Sequence, residues 1–131
     1  MSEPLFLMIA GAPTPVAPFS HAAEADGWVF LTGQMPTSPD DDSAPLPDGI
    51  ESQTRRVMDN LIIVLHGLRL GLQHVVSTRV FLTRFERDYE PMSAVYRSYF
   101  QPDCLPARTC VGVTGLARGA LVEIDLIARR P

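Results

Sequence analysis

Between Ile50 and Leu68, apolar side chains fall at Ile50, Val57, Leu61, Val64, Leu65 and Leu68, with Arg55, Arg56 and Asp59 between them. That spacing predicts an amphipathic helix over 50–68, and its one apolar stripe has to be covered by another part of the chain. The material available to cover it is β-prone. Val75 to Leu82 is rich in β-branched residues, and Arg108 to Val113 and Leu121 to Ala128 alternate with period two. On the N-terminal side, Leu5 to Ile9, His21 to Glu24 and Trp28 to Thr32 read as strands. Asp26-Gly27 supplies a hairpin turn between the last two. A second helix is predicted from about Glu90 to Phe100, with Met92, Val95 and Tyr99 on one face and Pro102 and Pro106 beyond its end. The order β-β-β-α-β-α-β-β is not a strict alternation, so the chain reads as α+β, two helices laid on one face of a mixed sheet. With 131 residues, 46% of them apolar, there is enough chain for one domain (1–131) and one core.

The connections carry their own punctuation. Pro13, Pro15 and Pro18 hold an extended segment that cannot be a helix interior. From Pro36 to Gly49, Pro36, Pro39, Pro45 and Pro47 surround Asp40-Asp41-Asp42. This reads as a solvated loop and not a cation site, because adjacent carboxylates on a proline-rich loop lack coordinating geometry. The last two strands are read as hairpin partners, joined by a turn containing Gly115 and Gly119.

Period-two bookkeeping then assigns faces. In the last strand, Val122, Ile124, Leu126 and Ala128 share the face expected to meet the helices, and Leu121, Glu123, Asp125 and Ile127 share the other. In the middle strand, Val76, Thr78, Val80 and Leu82 alternate with Val75, Ser77, Arg79 and Phe81. The face away from the helices thus mixes Leu121, Ile127, Val75 and Phe81 with Arg79, Glu123 and Asp125, too apolar to be fully wet and too charged for a core. A homo-oligomer built through this face is the expectation. The other solution is a solvated face with a few stray hydrophobics.

Charge and residue inventory narrow the chemistry. Eleven basic residues stand against fifteen acidic ones, for a net charge of -4. That balance argues against nucleic-acid binding driven by counterion release. All the basic residues are arginines, so a Schiff-base lysine, a lysine general base and a P-loop are excluded. Cys104 and Cys110 are too few for a disulfide scaffold or a zinc site and read as reduced thiols of a cytoplasmic protein. No run approaches the length of a membrane helix. Leu5 to Ile9 precedes the small residues Ala10-Gly11-Ala12, but Glu3 stands where a signal peptide is positive and the apolar run is short. No G-x-S-x-G, H-E-x-x-H or G-x-G-x-x-G motif is present. His66 and His74 read as structural or surface residues, whereas His21, in the proline-rich segment, could border a cleft.

What remains is Pro106-Ala107-Arg108-Thr109-Cys110-Val111 and Val122-Glu123-Ile124. If their strands are neighbours, Arg108 and Glu123 converge near one end of the sheet. An arginine there offers a planar fork to a carboxylate ligand, and a glutamate there accepts a hydrogen bond from water. Spacing alone favours a plain cross-strand Arg–Glu pair.

With these residues in place, the chain resembles the RidA/YjgF family of small imine/enamine deaminases along nearly its whole length. Ala17-Pro18-Phe19-Ser20-His21-Ala22 is similar to the family's G-P-Y-S-Q-A, and Val29 to Pro36 to its V-F-x-S-G-Q-I-P. Gln53-Thr54-Arg55 and Asn60-Leu61 resemble Q-T-R and N-L on the first helix, and Val75 to Leu82 resembles V-V-K-T-T-V-F-L. Tyr96 and Tyr99-Phe100 fit the second helix. Pro106 to Val111 and Val122-Glu123-Ile124 resemble P-A-R-S-x-V and E-I-E.

The resemblance implies a chorismate-mutase-like subunit, a homotrimer built through the sheets, and sites in clefts between subunits. It implies hydrolysis of 2-aminoacrylate and related 2-imino acids to 2-keto acids and ammonia, without a metal or other cofactor. In that scheme Arg108 holds the substrate carboxylate, while Glu123 and the Cys110 backbone carbonyl position water. Thr32 and Gly33 line the cleft and Phe19 walls it. An imine carbon is already electrophilic, so orientation and a modest acid–base contribution suffice. Phe19 stands where many members have tyrosine, Thr32 replaces serine, Arg69 replaces a helix-ending glycine and Ser93 replaces asparagine. The first departure touches substrate preference; the others are expected to touch local structure. Two further readings stay open beside the general deaminase. One is a non-catalytic trimer that binds a small carboxylate. The other is a pathway-specific deaminase acting on an aminomuconate or a pyrimidine-derived aminoacrylate.

Overall fold

The computed structural model describes residues 3–131. Its elements run β1 (Leu5–Leu7), β2 (Ala22–Ala25), β3 (Trp28–Gln34), α1 (Gly49–Gly67), β4 (Val75–Leu82), α2 (Phe85–Arg97), β5 (Ala107–Gly112) and β6 (Val122–Arg129). The six strands form one mixed sheet in the order β1-β2-β3-β6-β4-β5, with β4 and β5 parallel and every other neighbouring pair antiparallel. This is the α+β architecture that the sequence predicts, in the predicted order.

The topology follows from the two helices. Strands β4 and β5 are parallel neighbours, which requires a crossover, and α2 provides it. Both β3 and β4 run antiparallel to β6, so they are parallel to each other, and α1 is their crossover. Strand β6 then fills the gap left between β3 and β4. The expected β5–β6 hairpin is therefore wrong: β6 pairs with β3 and β4, and β5 is left at the sheet edge.

Helix α1 buries Val57, Met58, Leu61, Val64 and Leu65 against the sheet, as its apolar stripe requires. Facing them are Val29 and Leu31 of β3, Val80 and Leu82 of β4, and Val122, Ile124, Leu126 and Ala128 of β6. The helix stops in a Schellman arrangement, with Leu70 N–H donating to the Leu65 carbonyl at 2.8 Å and Arg69 N–H to the His66 carbonyl at 3.0 Å. Arg69 takes the left-handed position, at φ 61°, where glycine is usual. Asp26 and Gly27, at φ 53° and 81°, make the tight turn expected of them.

Two local predictions fail for physical reasons. A register shift between Val75 and Ser77 inverts the alternation at the start of β4, so Val75 is core (8% exposed) and Val76 is solvent-facing (43%). Helix α2 begins at Phe85, not near Glu90, and runs through Pro91. Burial of Asp88, Met92, Val95 and Tyr96 along one face outweighs the backbone hydrogen bond that a proline cannot donate. Among the described residues no helix is long and apolar enough to cross a membrane.

The sheet face away from the helices is open. Phe6, Trp28, Phe30 and Val111 are exposed on it, beside the Arg79–Asp125 ion pair, whose shortest contact is 2.6 Å.

Candidate functional site

The cleft forms where β3 leaves the sheet. Leu31 pairs with Leu126, yet Gln34 pairs with Ile124, so β3 carries an extra residue at Thr32–Gly33. On its other side β3 stays in register with β2, and Thr32 N–H donates to the His21 carbonyl at 3.0 Å. The bulge opens a cleft of about 380 Å³ between the Pro13–Phe19 segment, Thr32 to Met35, Ala117 and Glu123. Phe19, Thr32, Gly33 and Glu123, all singled out from the sequence, therefore meet here.

Glu123 is the acid of this cleft. It occupies the one-in-two positions of β6 that turn away from the core, between the fully buried Val122 and Ile124. Its carboxylate packs directly on the Cα of Gly33, where any side chain would collide with Oε2. Burial, and secondarily the neighbouring Asp125 charge, raises its pKa above the usual carboxylate value. No protein donor reaches the carboxylate among the described residues, which leaves its lone pairs for water or ligand.

The cleft is held from behind by two side chains. Nδ1 of His21 accepts the Ile9 N–H at 2.8 Å, so the ring is the tautomer whose Nε2–H donates to the Pro13 carbonyl at 2.8 Å. His21 borders the cleft as the sequence suggested, but both nitrogens are committed to pinning the proline-rich wall. Asn60 on α1 donates from Nδ2 to the carbonyls of Met35 (3.0 Å) and Thr37 (2.9 Å), fixing the opposite wall. Sequence reasoning gave Asn60 no role; an amide set directly beside the apolar stripe residues of α1 was the available signal.

Arg108 lies elsewhere. It sits on the edge strand β5, level with Thr78, and points to the helix face of the sheet. Nη2 donates to the Tyr89 hydroxyl and to Ser93 Oγ, 3.2 Å each. The guanidinium is 5.6 Å from the Tyr89 ring centroid and 5.0 Å from that of Tyr96. No carboxylate among the described residues pairs with it. Tyr89, Ser93 and Tyr96 project together because they are spaced four and three residues apart on α2. Ser93, expected to touch only local structure, is thus a contact of Arg108. Cys110 shares this face, packed against the core, and burial pushes its thiol pKa up.

Within one chain, then, Arg108 and Glu123 do not converge. Strand β4 separates their strands, and Glu123 is level with Phe81, three residues along from Thr78. Strand geometry puts their Cα atoms roughly 14 Å apart, on opposite faces. Neither the expected convergence nor the plain cross-strand pair exists in the protomer.

The fold and these residues define a family. The model of the family described as Endoribonuclease L-PSP matches residues 9–130. A RutC family protein of Synechocystis is 37% identical over 125 residues, 95% of each chain. The mouse 2-iminobutanoate/2-iminopropanoate deaminase is 32% identical over 117 residues, 89% of this chain and 84% of that one. The crystal structure of a Rid-family protein of unknown function from Yersinia pestis matches with a TM-score of 0.88 at 32% identity, over 97% of this chain and 99% of that one. The chain belongs to this family, the RidA/YjgF proteins, whose members include imine deaminases.

Proposed function

We propose that this protein is a hydrolase that deaminates 2-imino and 2-enamino acids to 2-keto acids and ammonia, in a cleft completed by a second copy of the chain within a homotrimer. One observation carries the reading: a half-buried carboxylate, Glu123, with no partner among the described residues, is pressed against Gly33 beside the Thr32 hydroxyl in a cleft of substrate size. Arg108 is the complementary group. Among the described residues it has no carboxylate partner, and it faces away from its own cleft, so the geometry favours its delivery to the cleft of a neighbour. The open sheet face bearing Phe6, Trp28, Phe30 and Val111 offers the surface for that association.

In this scheme Arg108 grips the substrate carboxylate. Glu123 takes a proton from water as its oxygen bonds to the carbon of the protonated imine, giving a carbinolamine. Returning that proton to nitrogen makes an ammonium leaving group; as the C–N bond breaks with its electron pair going to nitrogen, the hydroxyl proton passes back to the Glu123 carboxylate, and ammonia leaves as the carbonyl forms. An enamine first gains a proton at its β-carbon to become the imine. The net charge of -4 argues against reading an RNA substrate out of the family's description. Phe19, lacking the phenol of many relatives, favours a second reading, carboxylate binding without turnover.

The test generates 2-aminoacrylate from serine with a dehydratase and follows pyruvate. The protein is expected to accelerate its release, and Arg108→Ala to abolish the gain. No acceleration over buffer, or full activity in Arg108→Ala, refutes the deaminase. Tight 2-keto acid binding without turnover supports the second reading.

A further inference from the structure

The side chains that receive Arg108 have donors to spare. The Tyr89 hydroxyl and Ser93 Oγ each accept a hydrogen bond from Nη2, which consumes a lone pair and leaves each hydroxyl its own proton. Neither hydroxyl donates to a protein acceptor among the described residues. Two O–H groups therefore stand beside a partly buried cation that no carboxylate neutralises. A hydroxyl that accepts from a cation is polarised into a better donor.

We propose that Tyr89 and Ser93 bind the substrate carboxylate together with Arg108, the guanidinium supplying charge and the two hydroxyls supplying further donors. This rests on the reading that Arg108 takes a carboxylate. It also gives Tyr89 a particular place in this chain. The tyrosine of the resembled G-P-Y-S segment is Phe19 here, so the cleft wall has lost a phenol; α2 brings one to the same ligand from the arginine side.

The test measures 2-oxobutanoate binding by calorimetry and steady-state deamination, in the wild-type protein, Tyr89→Phe, Ser93→Ala, Arg108→Ala and the control Tyr99→Phe. Tyr89→Phe keeps the ring beside the guanidinium and removes only the hydroxyl. Tyr99 donates to Asp59 at 2.9 Å, away from Arg108, so its variant controls for loss of a hydroxyl from the same region. Removing one donor to a charged group is expected to raise Kd and KM about tenfold in Tyr89→Phe and in Ser93→Ala, with kcat within about twofold. Tyr99→Phe is expected to bind as wild type, and Arg108→Ala not to bind. Unchanged Kd in both Tyr89→Phe and Ser93→Ala overturns the proposal, as does a fall in kcat with KM unmoved. If the wild type binds 2-oxobutanoate with this pattern but turns over no imine, the deaminase reading falls and the carboxylate cradle stands. If the wild type does not bind it, the cradle falls whatever the turnover.

Discussion

Gly33→Ala separates the site from the fold. Gly33 lies outside the left-handed region, so alanine meets no backbone penalty there. Its Cβ would instead overlap Oε2 of Glu123 and lie 3.0 Å from Cδ and 3.1 Å from Cγ. Restoring ordinary contact requires the carboxylate to swing by about 1 Å. The end of a flexible, half-exposed side chain does this at little cost, and alanine gains about 0.4–1 kcal/mol by narrowing the unfolded ensemble. Stability is therefore expected to stay within about 1 kcal/mol of wild type, a shift of a few degrees in Tm. Catalysis is expected to respond otherwise. A displacement of about 1 Å at a reacting group costs on the order of 10²-fold, about 2.7 kcal/mol of transition-state stabilisation. The assay is kcat/KM for pyruvate release from 2-aminoacrylate, beside a thermal melt. Full activity in a normally folded Gly33→Ala would refute the placement of Glu123 at the reacting water. A collapse of Tm would refute the claim that only the carboxylate has to move.

Glu123→Gln is expected to abolish deamination yet raise Tm near neutral pH. Glu123's raised pKa means that the native state holds this proton to higher pH than the unfolded chain, so wild-type stability falls as pH climbs from the ordinary glutamate value through the raised one. The Tm advantage of the glutamine variant should vanish below that window, and an advantage independent of pH would show that the carboxylate is not its source. Activity should likewise fall as pH drops through a midpoint above the ordinary glutamate range. Arg69→Gly relieves the left-handed residue at the end of α1 and should stabilise by about 1 kcal/mol, read as a gain of a few degrees in Tm with unchanged activity. His21→Leu strands the Ile9 N–H and the Pro13 carbonyl and should cost about 2–4 kcal/mol in chemical denaturation; a loss well under 1 kcal/mol would mean that the proline-rich wall is not held there.

The helices and most strands were legible because each depends on a local pattern. The stripe of α1, the Asp26-Gly27 turn and the alternation of β6 all survive in the structure. The insertion of β6 between β3 and β4 was not legible, because pairing between distant strands leaves no mark on either. That one placement decides the site. Phe19, Thr32, Gly33 and Glu123 were found by motif and do share a cleft, whereas Arg108, found the same way, was given the wrong neighbour. Tyr89 was missed because the predicted helix began after it. The bulge at Val76 was missed because a single extra residue inverts a period-two assignment without changing composition.

The candidate residues stand where the chain breaks its own rules. A small neutral residue at position 123 would satisfy the alternation of β6 without a half-buried carboxylate, and an apolar one at 108 would pack under Tyr89 and Tyr96 without an unpaired charge. Regular pairing of β3 through positions 32 and 33 would close the cleft. Each exception costs the isolated protomer something; in the proposed shared site a carboxylate ligand would give the arginine its counter-ion, and an ordered water would give the glutamate a donor. Unexplained costs of opposite sign, placed on opposite faces of a single sheet, are what one chain would carry if its site were shared with a copy of itself.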